Sequence, residues 1–356
     1  MKKNPMRALV LAIVAGAPAC AEEAVVLWSA EVKGDQIATP VVADGTVFVV
    51  ARRTPPPDGG SEGWLFALDG ETGKPTWTVS LQSALLPPAV DSGVVVALEG
   101  DVTLDGDTTQ VVALEAASGK KLWSAFAAGV KGEYWTPRAP AASDGRVYFL
   151  RGKKLIAADI RTGKEAWIVE TPGRAAAAPL VAGGRVCVWT DKDALTIDAA
   201  TGKIVHSNSI GDEPIAEIAL GSGAACILFK RGTVFAYDLE SMDSRWTAPA
   251  SKLRSGLVIE DGLVQAFGED GRLHGLSLAS GKETRSVEVH GTLRGGRVTS
   301  VDADGKIVAR AANDGSQLWT WGAPARPVTA VTTGTGAVCV GCADQKVYAL
   351  REPGAK

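Results

Sequence analysis

The sequence predicts an all-β protein, an eight-bladed β-propeller of four-stranded antiparallel blades, and three observations carry that expectation. A closing position, most often Trp, recurs at Trp28, Trp77, Trp123, Trp167, His206, Trp246, Arg285 and Trp319, stepping by about 42 residues, the length of one propeller blade. Each step contains two tight turns marked by glycine, as in Leu65-Phe-Ala-Leu-Asp-Gly-Glu-Thr-Gly-Lys-Pro-Thr-Trp77 and Ile156-Ala-Ala-Asp-Ile-Arg-Thr-Gly-Lys-Glu-Ala-Trp167. Glycine supplies the positive φ such hairpins need. The runs between the turns alternate with period two and are rich in β-branched residues, which suits half-buried strands and not a helical solenoid.

The elements follow in chain order. Residues 1–19 read as a signal peptide: Lys2, Lys3 and Arg7 precede the apolar run Ala8–Ala17, which is too short to span a bilayer. Ala17-Pro18-Ala19 fits ordinary cleavage before Cys20, and Cys20 itself is the candidate lipid acceptor. Residues 20–24 are expected to be a short linker, 25–352 a single propeller, and 353–356 a tail. Seven copies of the unit are complete. An eighth begins at Val338 and lacks its outer strand, and Val26–Val32 has no upstream partner, so the N-terminal strand should complete the last blade and close the ring. Closure removes the open sheet edges that invite aggregation. The third strand of every blade carries a small residue at its centre, namely Ala67, Ala113, Ala157, Thr196, Ala236, Gly275, Ala309 and Ala349. These should leave room for a large side chain from the next sheet, a space the closing Trp could fill.

Composition narrows the function. With 37 basic and 40 acidic residues the net charge is −3, so no basic field exists to hold nucleic acid. Three histidines cannot build two metal centres, and five cysteines are too few for a disulfide scaffold. Counted from the first turn glycine of each blade, Cys187, Cys226 and Cys339 fall on one equivalent strand position, which makes them small buried hydrophobes. Cys339 and Cys342 are three apart in a strand and point to opposite faces, so they should not pair. His206 and Arg285 are read as degenerate closing positions. His274 and His290 lack partners at ligand spacing. Glu99, Asp101, Asp105 and Asp107 form an acidic stretch whose spacing is not that of a calcium loop.

The lines ending in Trp77 and Trp167 resemble the PQQ-like, quinoprotein-type propeller repeat, and the resemblance spans about residues 25–350. That family includes quinone-dependent dehydrogenases and non-catalytic proteins similar to the BamB-type outer-membrane assembly lipoproteins. The dehydrogenases carry an adjacent Cys–Cys pair beside the cofactor, and this sequence has none. The resemblance therefore implies a non-enzymatic scaffold without cofactor, exported, monomeric and bound to an envelope protein. The runner-up is a degenerate dehydrogenase, or a propeller hydrolase with carboxylates on the loop face. In the lipoproteins Leu usually stands where this chain has Ala17, and Pro18 is an unwelcome neighbour, so a soluble periplasmic form is favoured over a lipid-anchored one.

A binding surface follows from strand order. In a four-stranded blade, the loops between second and third strands lie on the same face as the connections between blades. The spacings Gly45 to Gly73 and Gly93 to Gly119 exceed Gly145 to Gly163 or Gly184 to Gly202, and the excess falls at about 51–64 and 99–110. The first of these carries Thr54-Pro-Pro-Pro-Asp-Gly-Gly60, and the connection into the third blade carries Gly132-Glu-Tyr-Trp-Thr-Pro-Arg138. Exposed aromatic and arginine side chains on rigidly held loops are typical anchors, so the candidate contacts are Arg52, Arg53, Tyr134, Trp135 and Arg138.

Overall fold

The computed structural model describes residues 22–54, 62–82, 86–100, 102–103, 106–107, 109–126, 138–209, 213, 215–241, 243–248, 253–294, 296–302, 304, 306–329, 332–334 and 337–353. Eight antiparallel sheets follow one another along the chain, each running from an inner to an outer strand. Blade 3 is the plain case: Ala141–Ser143, Arg146–Arg151, Lys154–Asp159 and Glu165–Glu170 pair in sequence order. The inner strands of successive blades from 1 to 7 lie beside one another, and that of blade 8 meets that of blade 1.

The N-terminal strand closes the ring as expected. Val25–Glu31 pairs antiparallel with Lys346–Arg351 and places Trp28 opposite Ala349. The stretch read as a linker does more than link, however. Glu22–Glu23 adds in parallel to the outer strand of blade 7, opposite Trp319 and Thr320, and the Ala24 N–H donates to the Thr320 carbonyl at 2.7 Å. Backbone edge groups of blade 7 supply the partners, so the segment straps blades 7 and 8 together.

The small central residues have a different neighbour from the one expected. Each lies in register with the closing residue of its own blade, as Ala67 does with Trp77, and with a second-strand residue on its other side, here Phe48. The two large side chains meet over the small one: the Phe48 and Trp77 rings are 6.0 Å apart, and Tyr148 and Trp167 repeat the arrangement at 5.8 Å. The next blade contributes a carbonyl and a glycine. Trp77 Nε1 donates to the Ala116 carbonyl at 2.8 Å, and its indole covers Gly119, where an added Cβ would lie 2.7 Å from Trp77 Cδ2. Gly119 also holds φ at +70°, so its lack of a side chain is required twice. Ala116 in turn donates its N–H to the Gly93 carbonyl at 2.9 Å. One residue thus ties both turns of its own blade to the indole of the blade before it.

That clasp recurs from Trp28 to Gly70, Trp123 to Ile160, Trp167 to Ala199 and Trp246 to Leu278. His206 keeps a version of it through Glu240 O at 3.0 Å. The core lies in the interfaces between blades: one apolar cluster joins Phe48, Leu65, Ala67, Val95, Val112 and Leu114 of blades 1 and 2.

Candidate functional site

The two faces of the ring are distinguished by their hydrogen bonds. On the loop face, connections between blades bond to the ends of second strands: Ala176 N–H donates to Trp189 O at 2.7 Å, and Val328 N–H to Gly341 O at 2.8 Å. Blade 1 has the most elaborate case. Gln36–Ile37 pairs with Ala51–Arg52, and Arg52 donates to Gln36 Oε1 through Nε at 3.1 Å and Nη2 at 2.5 Å. Thr54 N–H donates to Asp35 Oδ1 at 2.7 Å, and hydrogen bonding from the Thr54 side chain, then from this N–H, holds the Asp35 carboxyl below its ordinary range.

Of the predicted contacts, Arg52 is half-buried and engaged by Gln36, so it positions the loop base. Arg53 is exposed. Its guanidinium sits 5.5 Å from the Trp64 ring centroid and 2.9 Å from Glu62 Oε2, both on the following strand. An exposed ion pair of this kind contributes about 0–1 kcal/mol, and the aromatic stack holds the side chain in place. Arg138 is half-buried, and its Nε has no hydrogen-bond partner. Tyr134, Trp135 and Cys20 lie outside the described residues. Arg52 and Arg53, neighbours in sequence, thus stand at the end of the second strand of blade 1 and engage different partners.

The acidic stretch contains a small hairpin, Val102–Thr103 paired with Gly106–Asp107. Glu99 Oε2 accepts from Gln82 N–H at 3.3 Å; Asp101 and Asp105 lie outside the described residues. Among the described residues no group of three His, Cys, Asp or Glu side chains could hold a metal ion. Carboxylates on three inner strands act as clasps: Asp91 accepts Gly145 N–H at 2.7 Å, Glu217 accepts Leu257 N–H at 2.6 Å, and Glu260 accepts Gly296 N–H at 2.7 Å. Each ties one blade to the next, a role for which the sequence carries no periodic signal.

The four described cysteines are buried free thiols. Burial pushes Cys187 up to about 11 and Cys226 and Cys339 to about 12; Cys342 also reaches about 12, through burial and then Asp344. Such thiols remain protonated and unreactive at neutral pH. Cys339 packs with Trp28 and Ala349 toward blade 1, and Cys342 with Trp321 and Tyr348 toward blade 7, on opposite sides of their strand.

His274 is a correction to the sequence reading. Its Nδ1 lies 2.8 Å from Glu283 Oε1 and its Nε2 3.0 Å from Asp270 Oδ1. Arg285 turns inward to Gln265 Oε1 over Gly275. On the hairpin face, a cavity of about 400 Å³ between blades 4 and 5 is lined by Arg185, Asp238, Glu240 and Arg245. Arg185 pairs with Asp198 at 3.0 Å and Arg245 with Asp238 at 2.7 Å. The Arg245 hydrogen bond, then those of the Ser241 and Glu240 amides, bring Asp238 down to about 2.

Known proteins match this geometry. The chain is 30% identical over 149 residues to the outer membrane protein assembly factor BamB of Yersinia pestis, covering 40% of this chain and 35% of that protein. It is 31% identical over 166 residues to the serine/threonine-protein kinase AfsK of Streptomyces coelicolor, covering 43% of this chain and 18% of the kinase. The chain thus spans about a third of the first relative and under a fifth of the second. Among solved structures, BamB of Moraxella catarrhalis superposes with a TM-score of 0.67 at 15% identity, over 92% of this chain and 99% of that one. The quinohemoprotein alcohol dehydrogenase ADHIIG of Pseudomonas putida HK5 superposes at 0.62 and 16% identity, over 94% and 77%. Both structural likenesses show the fold alone. The family described as outer membrane protein assembly factor BamB matches residues 19–134, 107–252 and 230–355, and with the propeller it predicts built blade by blade, the chain belongs to that family.

Proposed function

We propose that the chain is an exported, non-enzymatic scaffold of the bacterial cell envelope that binds a protein of outer-membrane assembly through its loop face, in the sector of blades 1 to 3. Family membership supports the envelope role. The observation that carries the choice of surface is Arg53, exposed and stacked on Trp64 at the end of the second strand of blade 1, with Arg52 and Asp35 bonded beside it. A rigid base under an exposed arginine lowers the entropy lost on docking, the condition under which such residues become anchors. The scaffold is a monomer in this reading. It is soluble in the periplasm, because a single residue, Ala21, separates Cys20 from the strap on blade 7, too little for a lipid tether.

Photo-crosslinking in intact cells tests the surface. A photoreactive residue at position 53 should yield discrete adducts with an envelope protein, and the same residue at Lys120, on a hairpin of the opposite face, should not. Adducts from position 120 alone would place the partner on the wrong face.

A further inference from the structure

We propose that His274 is a proton-operated staple, which in its charged form ties the loop-face turn of blade 6 to that blade's outer strand and on losing its proton releases it. The geometry of the two ring nitrogens carries the argument. Each faces a carboxylate oxygen at hydrogen-bond distance, Nδ1 to Glu283 at 2.8 Å and Nε2 to Asp270 at 3.0 Å. A neutral imidazole has one N–H, so its other nitrogen would point a lone pair at a carboxylate. The imidazolium alone satisfies both contacts, and each is then a charge-assisted hydrogen bond.

The partners belong to different elements. Asp270 sits in the turn joining Leu263–Gly268 to Arg272–Ser277, and its Oδ1 also accepts Arg272 N–H at 3.1 Å, which fixes the carboxylate. Glu283 begins the outer strand Glu283–Glu288. The absence of a side chain at Gly268 makes room for the ring: a Cβ there would lie 2.7 Å from His274 Nε2.

Other charged groups border the site. Glu269 pairs with Arg254, whose Nη1 donates to the Lys230 carbonyl of blade 5, Arg272 pairs with Glu288, and the His290 ring lies over Gly271 of the same turn. Blade 5 otherwise packs against this side of blade 6 with apolar groups, including Leu228, Val234, Ala236 and Trp246. The two carboxylates that reach the ring remain its partners. Burial works against the charge, the hydrogen bonds that the ring donates to Asp270 and Glu283 outweigh it, and His274 titrates above its ordinary range. The sign follows: the stabilisation is fully present below the unfolded histidine value of about 6.5 and is lost as pH rises through the higher folded value.

Release changes the loop face. The charge of the three groups goes from one net negative to two, and the turn at 268–271 loses its tie to the outer edge. The test uses the whole mature protein. NMR titration of the His274 ring should give a midpoint above the ordinary histidine value of about 6.5, and Glu283→Gln should move the midpoint down. Hydrogen exchange, corrected for intrinsic pH dependence, should speed several-fold in 268–274 and 283–288 as pH crosses the His274 midpoint. In Glu283→Gln that step should shrink while the remaining blades keep their protection. A midpoint at or below about 6.5 overturns the proposal. So does exchange in these two segments that is flat across the midpoint.

Discussion

At the junction of blades 1 and 2, Trp77 reaches over Ala67 to a carbonyl and a glycine of the next blade; at the junction of blades 6 and 7, Arg285 stands in the same row and bonds within its own blade. The first row, Phe48–Ala67–Trp77, is apolar with one polar tip that finds Ala116 O. The second, Gln265–Gly275–Arg285, has changed at all three places. A guanidinium could not lie in an apolar row, so Gln265, itself buried, supplies its acceptor. Blade 7 has adjusted as well: a Cβ on Gly315 would meet Val287 and Val289, where other blades have an indole. A blade's row therefore varies as a unit. What is given up is the bond between blades, which leaves blades 6 and 7 joined by apolar packing and by the Glu260–Gly296 clasp.

The junction of blades 7 and 8 shows the limit of that freedom. Blade 8 has no hairpin between third and outer strands, because these come from opposite ends of the chain. Trp319 therefore lacks the usual turn carbonyl and donates to Glu352 Oε1 at 3.3 Å, while Arg297 holds the other oxygen at 2.9 Å. The strap at Glu22–Glu23 adds a second tie at the same seam. The largest predicted effect lies here. Deleting residues 22–33 opens the ring, exposes the blade 7 and blade 8 edges, and should cost about 5 kcal/mol or more, comparable with a whole domain's stability. Removing 353–356 should leave the thermal midpoint within experimental error. Equal melts for the two truncations would show that the N-terminal strand is not part of the closed ring.

A smaller effect separates the two kinds of row directly. Trp77→Ala removes a half-buried indole and a clasp, and should cost about 3 kcal/mol, at the low end for Trp truncation because the ring is partly exposed. Arg285→Ala should cost about 1–2 kcal/mol, mainly by leaving the buried Gln265 amide without its partner. The double change Gln265→Leu with Arg285→Leu removes both polar groups and should recover most of that loss. Denaturant unfolding of the three variants measures these differences. If the double variant is less stable than Arg285→Ala, the polar row contributes more than mutual satisfaction.

Much of this architecture is legible in the sequence because it is periodic. The spacing of Trp and glycine gives the blade count, and the orphan strand at Val26–Val32 gives the closure. The opposite facing of Cys339 and Cys342 follows from strand alternation. The direction of the small-residue row was not legible: a repeat shows that Ala67 and Trp77 belong together but not whether they meet within a blade or across two. The pairing of His274 with Asp270 and Glu283 was hidden for another reason. One partner sits in a turn and the other on the adjacent strand beyond a bulge between Gly275 and Leu276, so neither falls at a spacing that marks a ligand. Glu352 and the inner-strand carboxylates occur once or at irregular blades, and periodicity says nothing of them. At the candidate surface, chain parity identified the loop face, while the engagement of Arg52 by Gln36 depended on a connection whose path the sequence does not fix.

Acid should reverse the order of the blades on the hairpin face. Asp69, Asp159 and Asp198 each accept both the hydroxyl and the N–H of the threonine three residues on, and these bonds hold the carboxyls below their ordinary range. Asp238 is lower still, at about 2, mainly through Arg245. For a depressed carboxyl the stabilisation is present above the unfolded value of about 4 and is lost as pH falls through the folded one. Asp159 is exposed and the other three are half-buried at the turn surface, so each contribution is small and screened by salt. Blade 6 has Ser277 at the equivalent place and no carboxylate there to protonate. Between pH 5 and the low end of acid stability, corrected hydrogen exchange should rise at 69–74, 159–164, 198–203 and 238–241 while 277–282 stays level. The blade whose closing residue makes no bond to the next blade would then have the hairpin least affected by acid. Uniform acceleration across all five turns would mean that acid acts through the ring as a whole and not through these aspartates.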